Sequence, residues 1–161
     1  VIRAREGEGQ LGSDEVIKKQ LLDLGATVVV REDEVKEAVT QQPVLAFNAV
    51  GGSSATEMLQ VLAPNSTMVT YGAMSRKPFV IPAKIQIFQN VHLCGFWMTR
   101  WYKEHGDEER IEMLSQLIHL LQNGELKLRV KRVPFEVNSI HEVEGSKTGG
   151  QLREKFIMYP N

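Results

Sequence analysis

Two arginines near the start of the sequence have a spacing that suits phosphate binding. Arg3 and Arg5 lie in the opening string VIRARE, just before Glu6. Their guanidinium groups offer forked donors that match a phosphate dianion. In a dinucleotide-binding fold, an acid after the second strand binds the ribose 2′-hydroxyl, whereas arginines there accept a 2′-phosphate. The string therefore predicts a second strand that ends in a 2′-phosphate site, and the alternative is a solvated rim.

Two further strings place turn residues directly after apolar runs. Residues 44–50 end at Gly51 and Gly52, and residues 67–71 end at Gly72. In an open parallel sheet, ligands bind at the carboxyl ends of the strands. We expect these turns to share one edge of a sheet, although a glycine pair is also compatible with a plain turn.

The elements that would position these residues alternate between strand and helix. Predicted strands cover residues 27–30, 44–50, 67–71, 91–97, 128–137 and 155–159. Predicted helices begin at Ser13, Glu32, Ser54, Asp107 and Ser139, and glycines 25 and 124 are expected to end two of them. The unbroken apolar run at 44–50 indicates a strand covered on both faces. The alternation predicts an α/β fold, a Rossmann-like parallel sheet with flanking helices.

Composition excludes several classes of function. The 161 residues carry a net charge of −1, so no charge imbalance indicates nucleic acid or an anionic membrane as a partner. A single cysteine, Cys94, excludes an internal disulfide framework and a multi-thiolate zinc site, and we expect it to be a small buried hydrophobe. The four histidines lack ligand-like spacing, and no apolar run approaches the roughly 20 residues that span a bilayer.

Three longer strings carry a more specific signal. They are AFNAVGGSSATEMLQVL, STMVTYGAMSRKP and GFWMTRWYKEH. In this order and spacing they resemble the mitochondrial trans-2-enoyl-thioester reductases. These are NADPH-dependent members of the medium-chain dehydrogenase/reductase superfamily, close to its quinone-reductase branch. The resemblance runs from residue 1 to about residue 125, and more loosely to the end.

The resemblance implies NADPH as the cofactor and assigns residues to it. Arg3, Ala4 and Arg5 match the stretch that binds the adenosine 2′-phosphate. Tyr71, Gly72, Ala73 and Met74 match a YGGM turn that lies against the nicotinamide carboxamide. Phe96, Trp97 and Met98 match an FWL strand end near the nicotinamide, and Lys155 matches a lysine that reaches the cofactor phosphate. The alternatives are an ordinary turn, core aromatics and a solvated lysine.

One of these matches departs from the family pattern. Ala73 stands where the family has glycine. An alanine is tolerated at that position if its φ is negative, so the backbone angle of Ala73 tests the match.

The resemblance also implies a reaction. Hydride passes from NADPH to the β-carbon of a trans-2-enoyl thioester, linked to acyl-carrier protein or coenzyme A, in mitochondrial fatty acid synthesis. The proton comes from a tyrosine of an N-terminal catalytic domain, and Tyr71, Tyr102 and Tyr159 do not match that donor. We therefore assign no catalytic residue. We expect this chain to be a C-terminal part of the enzyme that lacks the first strand and the glycine-rich loop of the cofactor domain. Such a part is expected to be inactive alone.

The same resemblance divides the chain and gives it partners. Residues 1–124 are expected to form a partial NADPH-binding domain, and residues 125–161 a C-terminal segment of a GroES-like catalytic domain. Family members dimerise through an edge strand, which implies a homodimer paired near residues 91–97, and a mitochondrial location. Two other hypotheses stay open: a quinone or alkene reductase of the same superfamily, and a non-catalytic nucleotide-binding or interaction fragment.

Overall fold

A computed structural model of the chain describes residues 10–128, 130–136, 138–139 and 155–160. These residues fall into two compact units, one within Val1–Trp101 and one within Tyr102–Asn161. This division concerns packing alone. The assignment of residues 1–124 and 125–161 to two domains stays a prediction.

The first unit alternates helices with short strands. In chain order its elements are α1 (Gln10–Asp23), a 3₁₀ turn (Glu32–Glu34), α2 (Val35–Ala38), β1 (Leu45–Asn48), α3 (Gly52–Gln60), β2 (Thr67–Thr70), α4 (Ala83–Gln89) and β3 (His92–Gly95). Helix α5 (Met98–Glu104) follows β3. The three strands form one sheet in the order β1-β2-β3, and both strand pairs are parallel. The predicted α/β fold with a parallel sheet is confirmed.

The core of this unit lies on one face of the sheet. Ala46 of β1 and Met68 of β2 are buried there, and Leu59 of α3 and Ile85 of α4 pack against them. Leu59 and Met68 are fully buried, and burying one such side chain contributes about 1.5–3 kcal/mol. The two helices that connect the strands therefore hold this face.

The opposite face of the sheet is exposed in the described chain. Leu45 and Phe47 on β1 are 48% and 62% exposed, and Cys94 on β3 is exposed as well. The strand at 44–50 was predicted to be covered on both faces, and Cys94 to be buried. Both predictions are wrong, because the buried cluster of strand and helix residues lies on the Ala46 face.

Several element boundaries also differ from the prediction. Helix α1 begins at Gln10 rather than Ser13, residues 27–30 contain no strand, and α4 was not predicted. Helix α3 begins at Gly52, so Ser54 is a buried residue inside the helix and not its cap. Glu57, which follows Ser54 at the spacing of a capping box, pairs instead with Lys36 of α2, with 2.7 Å between carboxylate and ammonium.

The second unit contains helix α6 (Asp107–Gln122) and the strands β4 (Val130–Pro134) and β5 (Lys155–Tyr159). The helix begins at the predicted residue, where the Gly106 N–H donates to the Glu109 carboxylate at 3.0 Å. Gly124 follows the helix with φ 73°, which a glycine adopts without strain. Strands β4 and β5 pair in parallel. The predicted helix and both strands are confirmed, and beyond residue 139 the predicted short helix lies outside the described residues.

Two searches of the described residues concern membrane-spanning helices and metal ligands. Over the described ranges, no helix is both long and apolar enough to cross a bilayer. Across the same residues, no three His, Cys, Asp or Glu side chains are grouped as ligands for a metal ion.

Candidate functional site

Three turns leave the sheet side by side at the carboxyl ends of its strands. The last rung of the sheet aligns Asn48, Thr70 and Gly95, so the turns that follow them start at the same edge. The Phe96 N–H donates to the Thr70 carbonyl at 2.9 Å and extends the ladder by one residue beyond β3. The structure therefore brings together the two segments that the sequence assigned to the nicotinamide, residues 71–74 and 96–98.

The side chains of these two segments are open to solvent. We call the exposed set the platform; its members are between 41% and 60% exposed and are Tyr71, Met74, Phe96, Trp97 and Met98. Large apolar side chains grouped at a sheet edge expose surface that a soluble domain normally covers. A planar ring bound there would remove that surface from water.

Unused backbone donors lie beside the platform. Among the described residues, none accepts a hydrogen bond from the N–H groups of Gly72 and Ala73. The described non-glycine residues with positive φ are Asn65, Arg76 and Asn90, so Ala73 keeps the negative φ that the match to the family turn requires. The turn can thus present its N–H groups to a ligand carbonyl without backbone strain.

The first two turns are joined to each other by their backbones. Four hydrogen bonds of 2.9 to 3.1 Å connect them: Tyr71 N–H to Asn48 O, Met74 N–H to Ala49 O, Ser75 N–H to Val50 O, and Gly52 N–H to Lys77 O. Gly51 and Gly52 have φ of 74° and 61°, which L-residues rarely adopt. The glycine pair after β1 is therefore required by this loop-to-loop contact.

The side chain of Asn48 fills the base of the same contact. It is 1% exposed, and its Oδ1 accepts hydrogen bonds from the Val50 and Gly51 N–H groups at 3.1 and 2.9 Å. Its Nδ2 donates to the Thr70 Oγ1 at 3.2 Å. The sequence patterns assigned no role in the site to the side chains of Asn48 and Thr70. The available signal was an asparagine that ends an apolar strand just before two glycines, a pattern typical of an Asx turn.

The structure does not test the roles of the remaining predicted site residues. Arg3, Ala4 and Arg5 lie outside the described residues. Lys155 opens strand β5 in the second unit, and its side chain lies outside the described part of the chain. Their roles stay predictions.

Comparison with known proteins places this geometry in a family. Residues 12–120 match the family model described as zinc-binding dehydrogenase. The mitochondrial enoyl-[acyl-carrier-protein] reductase of Dictyostelium discoideum is 38% identical over 124 residues, which cover 73% of this chain and 35% of that protein. The enzyme of the same name from Xenopus tropicalis is 42% identical over 118 residues, covering 67% and 34%. The chain thus spans about a third of the length of these curated relatives.

Solved structures agree. A complex named as Etr1p with NADP and crotonyl-CoA superposes with a TM-score of 0.76 at 28% identity, covering 97% of this chain and 45% of that one. A mutant enoyl thioester reductase from Candida tropicalis gives 0.73 at 28% identity, with the same coverage. Two structures named as NADPH:quinone reductases, at 24% and 23% identity, share the fold.

The family's name implies zinc, and the described residues do not fit that metal because no three potential ligands lie together among them. The turns at the sheet edge fit a nicotinamide nucleotide instead, because beside the exposed platform the Gly72 and Ala73 N–H groups donate to no other described residue. Residues 12–120 make up more than half of the chain, and the relatives are those that the three sequence strings resemble. The chain belongs to the zinc-binding dehydrogenase family, within the medium-chain dehydrogenase/reductase superfamily.

Proposed function

We propose that this chain supplies most of the NADPH-binding domain of a reductase that reduces the 2,3 double bond of trans-2-enoyl thioesters. One observation carries the proposal: the carboxyl edge of one parallel sheet holds the exposed platform together with the Gly72 and Ala73 N–H groups, from which no other described residue accepts a hydrogen bond. The names of the relatives, enoyl-[acyl-carrier-protein] reductase and enoyl thioester reductase, support the substrate class. Their mitochondrial designation supports the same location for this protein.

In this proposal the chain binds and orients, and bound NADPH supplies the hydride. The platform would cover one face of the nicotinamide and exclude water from it. The N–H groups of Gly72 and Ala73 would donate to the carboxamide and so orient the cofactor. Such positioning by the chain lowers a reaction barrier by several kcal/mol.

The other end of the cofactor is assigned from the sequence. We propose that Arg3 and Arg5, with Ala4 between them, bind the adenosine 2′-phosphate, because two guanidiniums offer forked donors to a dianion. We propose that Lys155 donates to a cofactor phosphate. Residues 125–161 would belong to the GroES-like catalytic domain, whose tyrosine would deliver the proton.

The unpaired side of strand β3 supports a proposal on assembly. In the described sheet β3 pairs with β2 alone, so its other edge carries unpaired backbone groups. Such edges pair readily with another strand. We propose a homodimer formed through residues 91–97. The structure named as an Etr1p/Etr2p heterodimer shows that a related protein assembles in pairs.

The test uses the full-length protein that carries this chain. NADPH consumption is followed with a trans-2-enoyl thioester of coenzyme A or of acyl-carrier protein, and in parallel with a quinone. Faster turnover of the thioesters supports the proposal. Turnover of the quinone alone would contradict it in favour of a quinone reductase, and absence of NADPH binding would contradict both.

Two tryptophans provide a matched pair of variants for the same assay. Trp97 is 60% exposed in the platform, whereas Trp101 lies one helical turn further along α5. Trp97→Ala should raise the Kd for NADPH about tenfold, since aromatic contacts of this kind are worth roughly 1–3 kcal/mol. Trp101→Ala should leave the Kd unchanged. Equal Kd values for NADPH in the two variants would show that Trp97 does not contribute to cofactor binding.

A further inference from the structure

Asn48 bonds directly to the first two turns at the carboxyl edge, and Thr70 links it to the third. It ends β1, and its side chain is among the most buried polar groups of the described chain, at 1% exposure. A buried amide must satisfy both its oxygen and its nitrogen, because an unpaired polar group in the interior is costly. The hydrogen-bond partners of Asn48 therefore identify the segments that it holds in place.

The hydrogen bonds of Asn48 fix the orientation of its amide. Its Oδ1 accepts from the Val50 and Gly51 N–H groups at 3.1 and 2.9 Å. Both partners are donors, so the atom facing them is the oxygen, and Nδ2 is directed to the Thr70 Oγ1 at 3.2 Å. The side chain thus ties the turn after β1 to the last residue of β2.

Thr70 connects this bond to the platform. It directly precedes Tyr71, and its carbonyl accepts the Phe96 N–H at 2.9 Å. The main-chain carbonyl of Asn48 accepts the Tyr71 N–H, also at 2.9 Å. A displacement of Asn48 would therefore move the first residue of each platform segment.

We propose that Asn48 is a positioning residue, which sets the placement of residues 71–74 against residues 96–98 through Thr70 and does not itself touch the cofactor. The geometric part stands on the hydrogen bonds alone. Its consequence for the reaction rests on the proposed function.

No common substitute satisfies both sides of this bond network. Leucine has a similar volume and would leave the Val50 and Gly51 N–H groups without their acceptor. Aspartate would supply the acceptor and bury a charge, which costs far more than burying an amide. An amide of this length is the side chain that serves both turns while remaining neutral.

The decisive variant is Thr70→Val, because it removes one acceptor with little change in shape. Asn48→Ala deletes three hydrogen bonds at once and can prevent folding. Thr70→Ser restores the hydroxyl and tests rescue. The control is Asn90→Gly, which removes the hydrogen bond of 2.9 Å from Asn90 Nδ2 to Asn65 Oδ1 near the amino ends of the strands. Glycine tolerates the φ of 51° at position 90.

Kinetics of the full-length protein give the first measurement. Thr70→Val should raise the KM for NADPH about tenfold and lower kcat, with the KM for the enoyl thioester unchanged. Thr70→Ser should recover wild-type values, and Asn90→Gly should change the melting temperature alone. If Thr70→Val lowers the melting temperature and leaves the KM for NADPH at the wild-type value, Asn48 is merely structural and the inference is overturned.

Amide hydrogen exchange separates this inference from the proposed function. In the chain itself, Thr70→Val should speed exchange at Val50, Gly51 and Tyr71 by about tenfold. If the wild-type protein does not bind NADPH, the proposed function fails, and the exchange rates still decide whether Asn48 holds the turns. Unchanged exchange at these three amides would overturn the positioning role.

Discussion

Gly72 packs against the backbone of Ala49 so closely that a β-carbon on Gly72 would lie 3.0 Å from the Ala49 carbonyl oxygen and 3.3 Å from its Cα. Contacts of 3.0 to 3.4 Å are tighter than nine in ten Cβ contacts in folded proteins, so the backbone of Ala49 would have to shift by a few tenths of an ångström. The turn after β2 therefore fits against the turn after β1 without displacement when glycine is at position 72. The reason is space and not backbone angle, since the φ of Gly72 is not positive.

Gly72→Ala should accordingly push the platform away from the turn after β1. Overpacking of this kind costs about 1–3 kcal/mol, and the displaced N–H groups should weaken NADPH binding as well. The measurements are thermal unfolding and NADPH titration. Gly106→Ala makes the same chemical change where no atom lies within 4 Å of the added carbon, so its effect should be limited to the loss of a helix N-cap. Equal NADPH affinity in both variants would show that the contact does not govern the site.

Cofactor choice can be tested at the opening string. Replacing Arg3 and Arg5 with alanine in the full-length protein should reduce affinity for NADPH and leave NADH nearly unaffected. Loss of a hydrogen bond to a charged group costs roughly 1.5–3 kcal/mol, or about ten- to a hundred-fold in Kd. Dissociation constants for the two cofactors give the answer directly. Equal losses for NADPH and NADH would mean that these arginines do not read the 2′-phosphate.

The direction of the backbone groups on β3 allows a precise test of assembly. The N–H groups of His92 and Phe96 donate to β2 carbonyls at 2.8 and 2.9 Å. Alternate N–H groups of a strand point to opposite sides, so that of Leu93 faces the open edge. Leu93→Pro should remove an outward donor, keep the bonds to β2 and shift a dimer towards monomer in light scattering.

Leu93 also packs against the core, so the proline variant needs a matched comparison. Leu93→Ala removes the same side chain and retains the outward N–H. It should stay dimeric at a concentration where Leu93→Pro is monomeric. A wild-type protein that remains monomeric at high concentration would refute pairing through this edge.

Because Cys94 lies on the exposed face of the sheet, the reactivity of its thiol tests whether that face is covered. Its thiol is exposed in the described chain and lies on the same face as Phe47. In the 161-residue chain, a thiol reagent should modify Cys94 in the folded state, somewhat more slowly than in an unfolded control because the thiol donates to the Met68 carbonyl at 3.9 Å, with Cys94→Ser as the blank. In the full-length protein, slower modification would show that a further segment covers this face. Slow modification in the chain itself would contradict the exposed face.

Sequence patterns predicted those elements whose signals are local. Helix α6 starts where acidic residues meet a preceding glycine, and Gly25 and Gly124 follow their helices with φ of 98° and 73°, as expected for helix ends. The parallel order of strands followed from the alternation of strand and helix patterns. These features depend on neighbouring residues, and neighbours are visible in the sequence.

The errors concern features that distant contacts decide. Ser54 and Glu57 have the spacing of a capping box, yet the contact between the Gly52 N–H and the Lys77 carbonyl, 3.1 Å long, starts the helix two residues earlier. Cys94 has apolar neighbours in sequence, and its exposure depends on what covers the sheet. Of the candidate site, the resemblance supplied the two platform segments. It did not supply Asn48 and Thr70, because their role exists only when two loops meet.

The backbone contact between the first two turns has a consequence for exchanging segments among relatives. Each of its four hydrogen bonds has one group in residues 48–52 and the other in residues 71–77. A chimera that imports one segment alone would keep half of a contact whose other half was shaped by a different sequence. The two segments are separated by 18 residues in the chain and pack as one unit. Transplanting the proposed nicotinamide end of this domain into a new scaffold therefore means moving both segments, with the asparagine beneath them.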